Sequence, residues 1–435
     1  MLKRNLLITI LSVLSLTMVF SGGQKETGSS AGSTAAKEPI ELSMWYHGAG
    51  NDVERKVLIG IINDFNSSQS DYSVVLEEFP EESYNDSVMA SALAGNLPDI
   101  IDVDGPIMPN WAWAGYLAPL ELSKGAIDGF LPGAIGTWDG KVYSVGLWDA
   151  AIAMFARKSI LEKYNIRIPT LAKPWTGNEF EAILTKLQAS GEFDYALDLG
   201  TAWTGEWYAY AFAPFMQSFG GDLIDRDTYT TAEGILNGAE SIAFGKWWQS
   251  LFERGLVPPI AQDSGDRDTG FIDGKYALQW NGNWAALGAL DAYGDDMLYL
   301  PAPDFGNGPK IGSASWQLGV SATSQNKKGA SAFIEFALQD KYLAAFTNAL
   351  GLVPATSSSA AMTENYKAGG PLEGFYELSN VQGMIRPVTP GYVVMSKVYE
   401  KALTDIANGA DVESTLDAAV DEIEIDIENN SGYGF

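Results

Sequence analysis

Between residues 41 and 103 the hydrophobic pattern changes period four times, and no other feature restricts the fold of this chain as much. The stretch ELSMW, from Glu41 to Trp45, alternates apolar and polar residues like a half-buried strand. Val53, Val57, Leu58, Ile61, Ile62 and Phe65 then share one helical face, with Asn51 or Asp52 placed to cap it. A strand pattern follows over 73–77, then a helical one over 84–94 closed by Gly95-Asn96, then a third strand at IIDV, 100–103. A β-α-β-α-β order calls for an open, mainly parallel sheet with helices on both faces. Ligands of such sheets gather at the carboxyl ends of the strands. Those ends are Trp45-Tyr46-His47 and Asp102-Val103-Asp104.

The rest of the chain continues the α/β theme. VYSVGLWDAAIAMFAR, 142–157, is a long β-like run broken at Gly146 and suited to passing between two lobes. Helical patterning recurs over 178–189, 232–254, 327–338, 393–407 and 412–427. At 435 residues the chain exceeds what one core holds, since single cores stop growing at about 250–300 residues. No long linker divides it, so two lobes have to be joined by chain crossings rather than strung in series.

Composition removes several kinds of chemistry. There is no cysteine, hence no disulfide, thiolate nucleophile or Cys-ligated metal, and a single histidine, His47, rules out a multi-histidine zinc site. A formal charge of −28 repels polyphosphate and argues against nucleic acid as a partner. No G-x-S-x-G and no G-x-x-x-x-G-K-[ST] occurs, and the Asp102–Gly105 stretch fails the register of a calcium loop. No cofactor is expected. The first residues carry export signals: Lys3 and Arg4 precede an apolar run from Leu6 to Phe20, with a cleavage site predicted after Ser21. Residues 22–39, GGQKETGSSAGSTAAKEP, have the composition of a flexible tether.

Rings and carboxylates cluster at several places. YALQWNGNWAA, 276–286, sets Trp280 and Trp284 on either side of Asn-Gly-Asn. Indole faces stack on the C–H faces of sugar rings while amides and carboxylates take the hydroxyls. Trp280 alternates with Leu278 and is expected in the core; Trp284, past the turn, is expected to stack on a ligand. In TAWTGEWYAY, 201–210, Trp203, Glu206, Trp207 and Tyr210 share one helical face, and a carboxylate there is costly in a purely apolar core. Trp148-Asp149 pairs ring with carboxylate, Trp316 follows GSAS, and Arg386 opens the rigid RPVTPGY loop, where its planar fork can hold hydroxyls or a carboxylate.

Read in order, ELSMWYHG, VLIGIINDFN, ALAGNLPDIIDVD, GKVYSVGLWDAAIAMFARKSILEKYNI, FGGDLI, YALQWNGNWA, WQLGVSATSQNKKGASAFIEFAL, GLVPATSSS and RPVTPGYVVMSKVYEKALTDIANGADV resemble the extracellular solute-binding proteins of carbohydrate ABC transporters, the superfamily of maltose-binding protein. The resemblance runs from about Glu41 to the C-terminus. It implies a periplasmic binding protein fold of the type II kind, with lobe 1 at 40–148 and 315–352 and lobe 2 at 150–312 and 354–435. Three hinge crossings would lie near 147–151, 312–316 and 352–356. Trp284 matches the family's stacking tryptophan. His47, Asp104 and Asp149 match positions that touch sugar hydroxyls, Trp203, Glu206 and Trp207 lie where cleft aromatics are placed, and Arg386 matches a cleft-closing loop.

The function implied is capture of a mono- or oligosaccharide in the cleft and delivery to membrane permease subunits, by a monomer free in the periplasm. The family's lipid-anchoring cysteine is replaced here by Ser21-Gly22-Gly23. The rival expectation is a secreted glycoside hydrolase using Glu206 and an Asp as acid and base. Within binding proteins, a phosphorylated polyol or a peptide is the other ligand class, disfavoured by the scarcity of cations and the number of rings.

Overall fold

The computed structural model describes residues 38–260 and 269–434. The export signals and most of the tether lie outside the described residues. Among the described residues fourteen strands form two seven-stranded sheets. The first sheet contains β1 (Ile40–Tyr46), β2 (Tyr72–Glu78), β3 (Ile100–Asp104), β4 (Leu117–Ala118), β5 (Ile135–Trp138) and β6 (Lys141–Val145), together with β12 (Trp316–Ser321). The second contains β7 (Trp148–Arg157), β8 (Tyr195–Asp198), β9 (Tyr276–Gly282), β10 (Met297–Leu300) and β11 (Ile311–Ala314), with β13 (Val353–Pro354) and β14 (Gly383–Met384).

The opening alternation folds as its periods require. β1 lies parallel to both β2 and β3. The helix Asp52–Ser68 is capped by Asn51, whose side chain accepts from Glu54 N, and buries Leu58, Ile61, Ile62 and Phe65. Each such side chain contributes about 1.5–3 kcal/mol by leaving water. The helix Glu81–Ala94 ends on Gly95 in the left-handed region. β12 then enters antiparallel beside β3, aligning Trp316 with Asp104. That register places a ring and a carboxylate side by side at the end of the first sheet.

In chain order β1–β6 belong to the first sheet, β7–β11 to the second, β12 to the first again, and β13–β14 to the second. The chain therefore changes sheets between Val145 and Trp148, between Ala314 and Trp316, and between Ser321 and Val353. The run 142–157 divides at this change, and its second part, β7, is the central strand of the second sheet, hydrogen-bonded to β9, β10, β11 and β13.

Two segments differ from their sequence patterns. The helix expected over 232–254 begins only at Ala239, preceded by turns that include Gly234 in the left-handed region. The helix expected from residue 201 begins at Glu206, because Gly205 takes a positive φ of 70° that ends the preceding turn. Trp203 thus sits on that turn, while Glu206, Trp207 and Tyr210 sit on the helix Glu206–Phe219.

Candidate functional site

On the second sheet, aromatic packing separates the two tryptophans of the 276–286 stretch. Trp280 is 1% exposed, packs on Phe215 and donates its indole N–H to Ala211 O at 3.0 Å. Trp284 is 38% exposed. Its ring centroid lies 6.0–6.2 Å from those of Trp203, Trp207 and Tyr210. Trp207 is the buried base of this group, donating Nε1 to Leu199 O at 3.1 Å, and Trp203 meets it edge-on at 4.4 Å. Trp284 folds back over Gly282 so closely that a Cβ there would lie 2.2 Å from the indole. Glycine is what permits that pose.

The amides between the tryptophans do not face a ligand, contrary to the sequence-based expectation. Asn281 Oδ1 accepts from Gly282 N at 2.7 Å, and Asn283 accepts from Ala151 N at 2.9 Å while reaching Gly351 O at 3.3 Å. They fix the framework beneath Trp284.

From Trp284 a chain of contacts leads towards the first sheet. The Arg386 guanidinium lies 4.6 Å above the Tyr210 ring, and its Nε is 2.8 Å from Glu206 Oε1. Tyr392 Oη and Ser396 Oγ donate to the same carboxylate, one to each oxygen. Burial pushes the Glu206 carboxyl up, and Arg386, Tyr392 and Ser396 oppose that shift. Asp104, at the end of β3, is the next group along. Its pKa is pushed up to about 7, by burial first and by the Glu206 charge second, with Arg386 and His47 pulling the other way. A first-sheet carboxylate thus shares its field with an ion pair carried by second-sheet elements.

His47 completes the line. It is 6% exposed, its Nδ1 contacts Asp102 and its Nε2 lies 3.9 Å from Glu54. Burial alone would strip its proton, but Asp102 and then Glu54 outweigh that, and the pKa rises to about 9. The resulting imidazolium stacks on the half-buried Trp316 at 4.0 Å and 13°. His47 is therefore engaged through Nδ1 and one face, and it supports Trp316.

Trp203, Trp207, Trp284, Arg386, Glu206, Asp104, His47 and Trp316 thus form one line of neighbours running from the second sheet to the first. Trp148 and Asp149 stand apart from it. The Trp148 ring is buried against Phe346 in the first sheet's core. Asp149 is fully buried, with Ser313, Ser379 and Ala150 N donating to its carboxylate. Both side chains are thus buried against protein partners, where ligand contacts were expected. Tyr210, Tyr392 and Ser396 were missed as partners. The last two are spaced i, i+4 on the helix Tyr392–Ala407, a helical face that reads as ordinary packing in sequence.

Arg386 also borders a small gap of about 50 Å³ lined by both sheets' segments, including Gly105, Pro106 and Gln317 on one side and Ala314 and Pro387 on the other. Among the described residues no cluster of three or more His, Cys, Asp or Glu can hold a metal ion.

The sequence profile described as bacterial extracellular solute-binding protein matches residues 60–373. The chain belongs to that family. An uncharacterized lipoprotein in the oleD 5′ region of Streptomyces antibioticus is 27% identical over 65% of this solute-binding protein and 63% of the relative, so the match spans less than two thirds of that relative's length. Maltodextrin-binding protein MdxE of Bacillus subtilis is 22% identical over 99% of this chain and 98% of its own. Among solved structures, the cyclic alpha-maltosyl-1,6-maltose binding protein from Arthrobacter globiformis superposes with a TM-score of 0.74 at 22% identity, covering 90% of this chain and all of that one. At that identity the likeness shows the fold: a two-lobed α/β architecture. Family membership leaves the hydrolase expectation without support. No helix among the described residues is long and apolar enough to cross a membrane.

Asp104 in this solute-binding protein has a consequence for stability. A carboxyl whose folded pKa, about 7, exceeds its unfolded value of about 3.9 binds more protons when folded. Its contribution therefore worsens as pH rises from about 4 through about 7. Asp104→Asn is expected to raise ligand-free stability at pH 8 and to have little effect at pH 4. Urea denaturation of both proteins at the two pH values checks this.

Proposed function

We propose that this solute-binding protein captures a neutral mono- or oligosaccharide between two lobes and hands it to the membrane permease subunits of an ABC importer, without catalysing a reaction. In this reading lobe 1 spans 40–148 and 315–352, lobe 2 spans 150–312 and 354–435, and the three sheet changes are the hinge crossings. The protein acts after export, in the periplasm, as a monomer.

One observation carries the reading. An exposed indole on an aromatic base, Trp284, lies at one end of a line of hydrogen-bonding groups, and a second half-buried indole, Trp316, lies at the other. Rings bind the apolar faces of a sugar, and charged groups between them order its hydroxyls. Among the described residues no donor bonds the Asp104 carboxyl, so its oxygens are left for a ligand's hydroxyl protons. Glu206 and Arg386 neutralise one another, so the site offers a polar lattice without a free cation for a phosphate. A ligand that touches both lobes binds the closed arrangement better and shifts the population towards it. The sugars named for MdxE and for the Arthrobacter protein agree with this class.

A thermal-shift screen with maltose, maltotriose, maltotetraose and a set of unrelated disaccharides tests the proposal. A ligand specific for the folded state raises the melting temperature with concentration, by mass action. At least one neutral sugar should do so, with no release of reducing ends on prolonged incubation. A panel-wide absence of any shift, or turnover of the oligosaccharides, contradicts the proposal.

A further inference from the structure

Asp149, expected at a hinge crossing and at the sugar, lies where the chain changes sheets. It is the second residue of β7, directly after the first change. Ser313 Oγ donates to its Oδ2 at 2.8 Å, and Ser313 lies on β11, just before the second change. Val353 of β13, just after the third change, pairs with Asp149 along the backbone. Ser379, on the helix Glu373–Gln382, donates to Oδ2 as well, and Oδ1 accepts from Ala150 N at 2.9 Å. All three passages between the sheets therefore meet at one residue, the second through its carboxylate and the third through its backbone.

The first sheet's side closes tightly on this group. A Cβ built on Gly133 would lie 2.5 Å from Asp149 Oδ1 and 2.4 Å from Ser313 Oγ. Gly133 is in turn tied to β12, since Gln317 Nε2 donates to its carbonyl at 3.0 Å. A buried carboxylate is a costly way to fill space that apolar residues would fill more cheaply. What it provides is directional bonding: Ser313 ties the second passage, and Ser379 the helix Glu373–Gln382, to the first passage, and a buried, fully satisfied polar group holds a single arrangement.

We infer that Asp149, bonded to Ser313 and Ser379 and paired with Val353, forms a clasp where the three passages meet, and that Asp149 is a positioning residue for closure. It sets the resting separation of the two lobes, and through it the ligand affinity, without touching the ligand. This rests on the closure reading above. The two variants that probe it act in different ways. Ser313→Ala with Ser379→Ala removes both hydroxyl donors and unties two segments from the carboxylate. Gly133→Ala leaves every donor in place and wedges a methyl group between the first lobe and the clasp.

The chain has no cysteine, so Leu93→Cys and Ile425→Cys, both exposed positions, give a uniquely labelled pair for spin-label distance measurement. In the ligand-free state both clasp variants should shift the inter-label distance distribution away from that of the parent. Maltotriose affinity should change by roughly fivefold or more, the lower bound of ordinary coupling between sites, while the ligand-bound distance stays as in the parent. Ligand-free distributions identical to the parent, with only a lower denaturation midpoint, overturn the inference and leave Asp149 a packing residue. If the serine pair does not fold, Gly133→Ala decides by the same criterion. A shifted ligand-free distribution in a protein that binds no maltotriose supports the clasp and counts against the sugar reading alone.

Discussion

Trp284→Ala is expected to abolish most of the sugar affinity while leaving the fold in place. More than a third of the residue is exposed, so little core packing is lost on truncation. What disappears is the top of an aromatic group whose lower members, Trp203 and Trp207, are held by their own contacts. Aromatic anchors at the centre of a binding surface commonly cost about 2 kcal/mol or more on truncation, or roughly 30-fold in affinity. Calorimetric titration should show that loss, and denaturant unfolding should show a midpoint close to the parent's. Unchanged affinity would mean that Trp284 stacks on nothing. A large fall in stability would mean that it belongs to the core.

The second large effect is expected at the Glu206–Arg386 pair. Arg386 is 9% exposed and its Nε lies 2.8 Å from Glu206. Glu206→Gln leaves that guanidinium buried with its charge uncompensated, and breaking a buried pair from one side costs about 3–5 kcal/mol. Nearly a third of the Glu206 side chain remains exposed, so the low end, about 3 kcal/mol, is expected. Arg386→Met should be as damaging, and more so as pH rises through about 7, where Asp104 gains a charge that Glu206 repels. The double variant should recover part of the stability, since neither charge is then left alone. Sugar affinity should remain low in all three. A double variant no better than either single one would show that the two groups do not act as a pair.

Much of the fold was legible because its signals are local. The period of the apolar residues fixed the first three strands and two helices, and Gly95 marked a helix end that the backbone does take. The split between Trp280 and Trp284 followed from alternation along one strand. What the sequence did not show has one cause: it concerns what a polar or aromatic side chain meets across the structure. Trp148-Asp149 has the composition of a ligand contact, but Phe346 and Ser379, some 200 residues away in sequence, had already claimed it. His47 sits at a strand end, where ligands gather, yet Asp102 and Trp316 enclose it. Asn281 and Asn283 were suited to sugar hydroxyls and instead bind backbone. Spacing within a segment shows which residues share a face; it does not show which distant segment covers that face.

The claim on which the rest depends is that walls from both sheets grip one ligand, and Trp316 is the wall that a one-sided site would not need. The most direct measurement is the calorimetric affinity of Trp316→Ala for the sugar that gives the largest thermal shift, at a pH where His47 is an imidazolium. A loss of at least tenfold, about 1.4 kcal/mol, in a variant that still folds is the expected result. Parent-like affinity in Trp316→Ala, beside a collapse in Trp284→Ala, would place the ligand on the second lobe alone and contradict capture between the two.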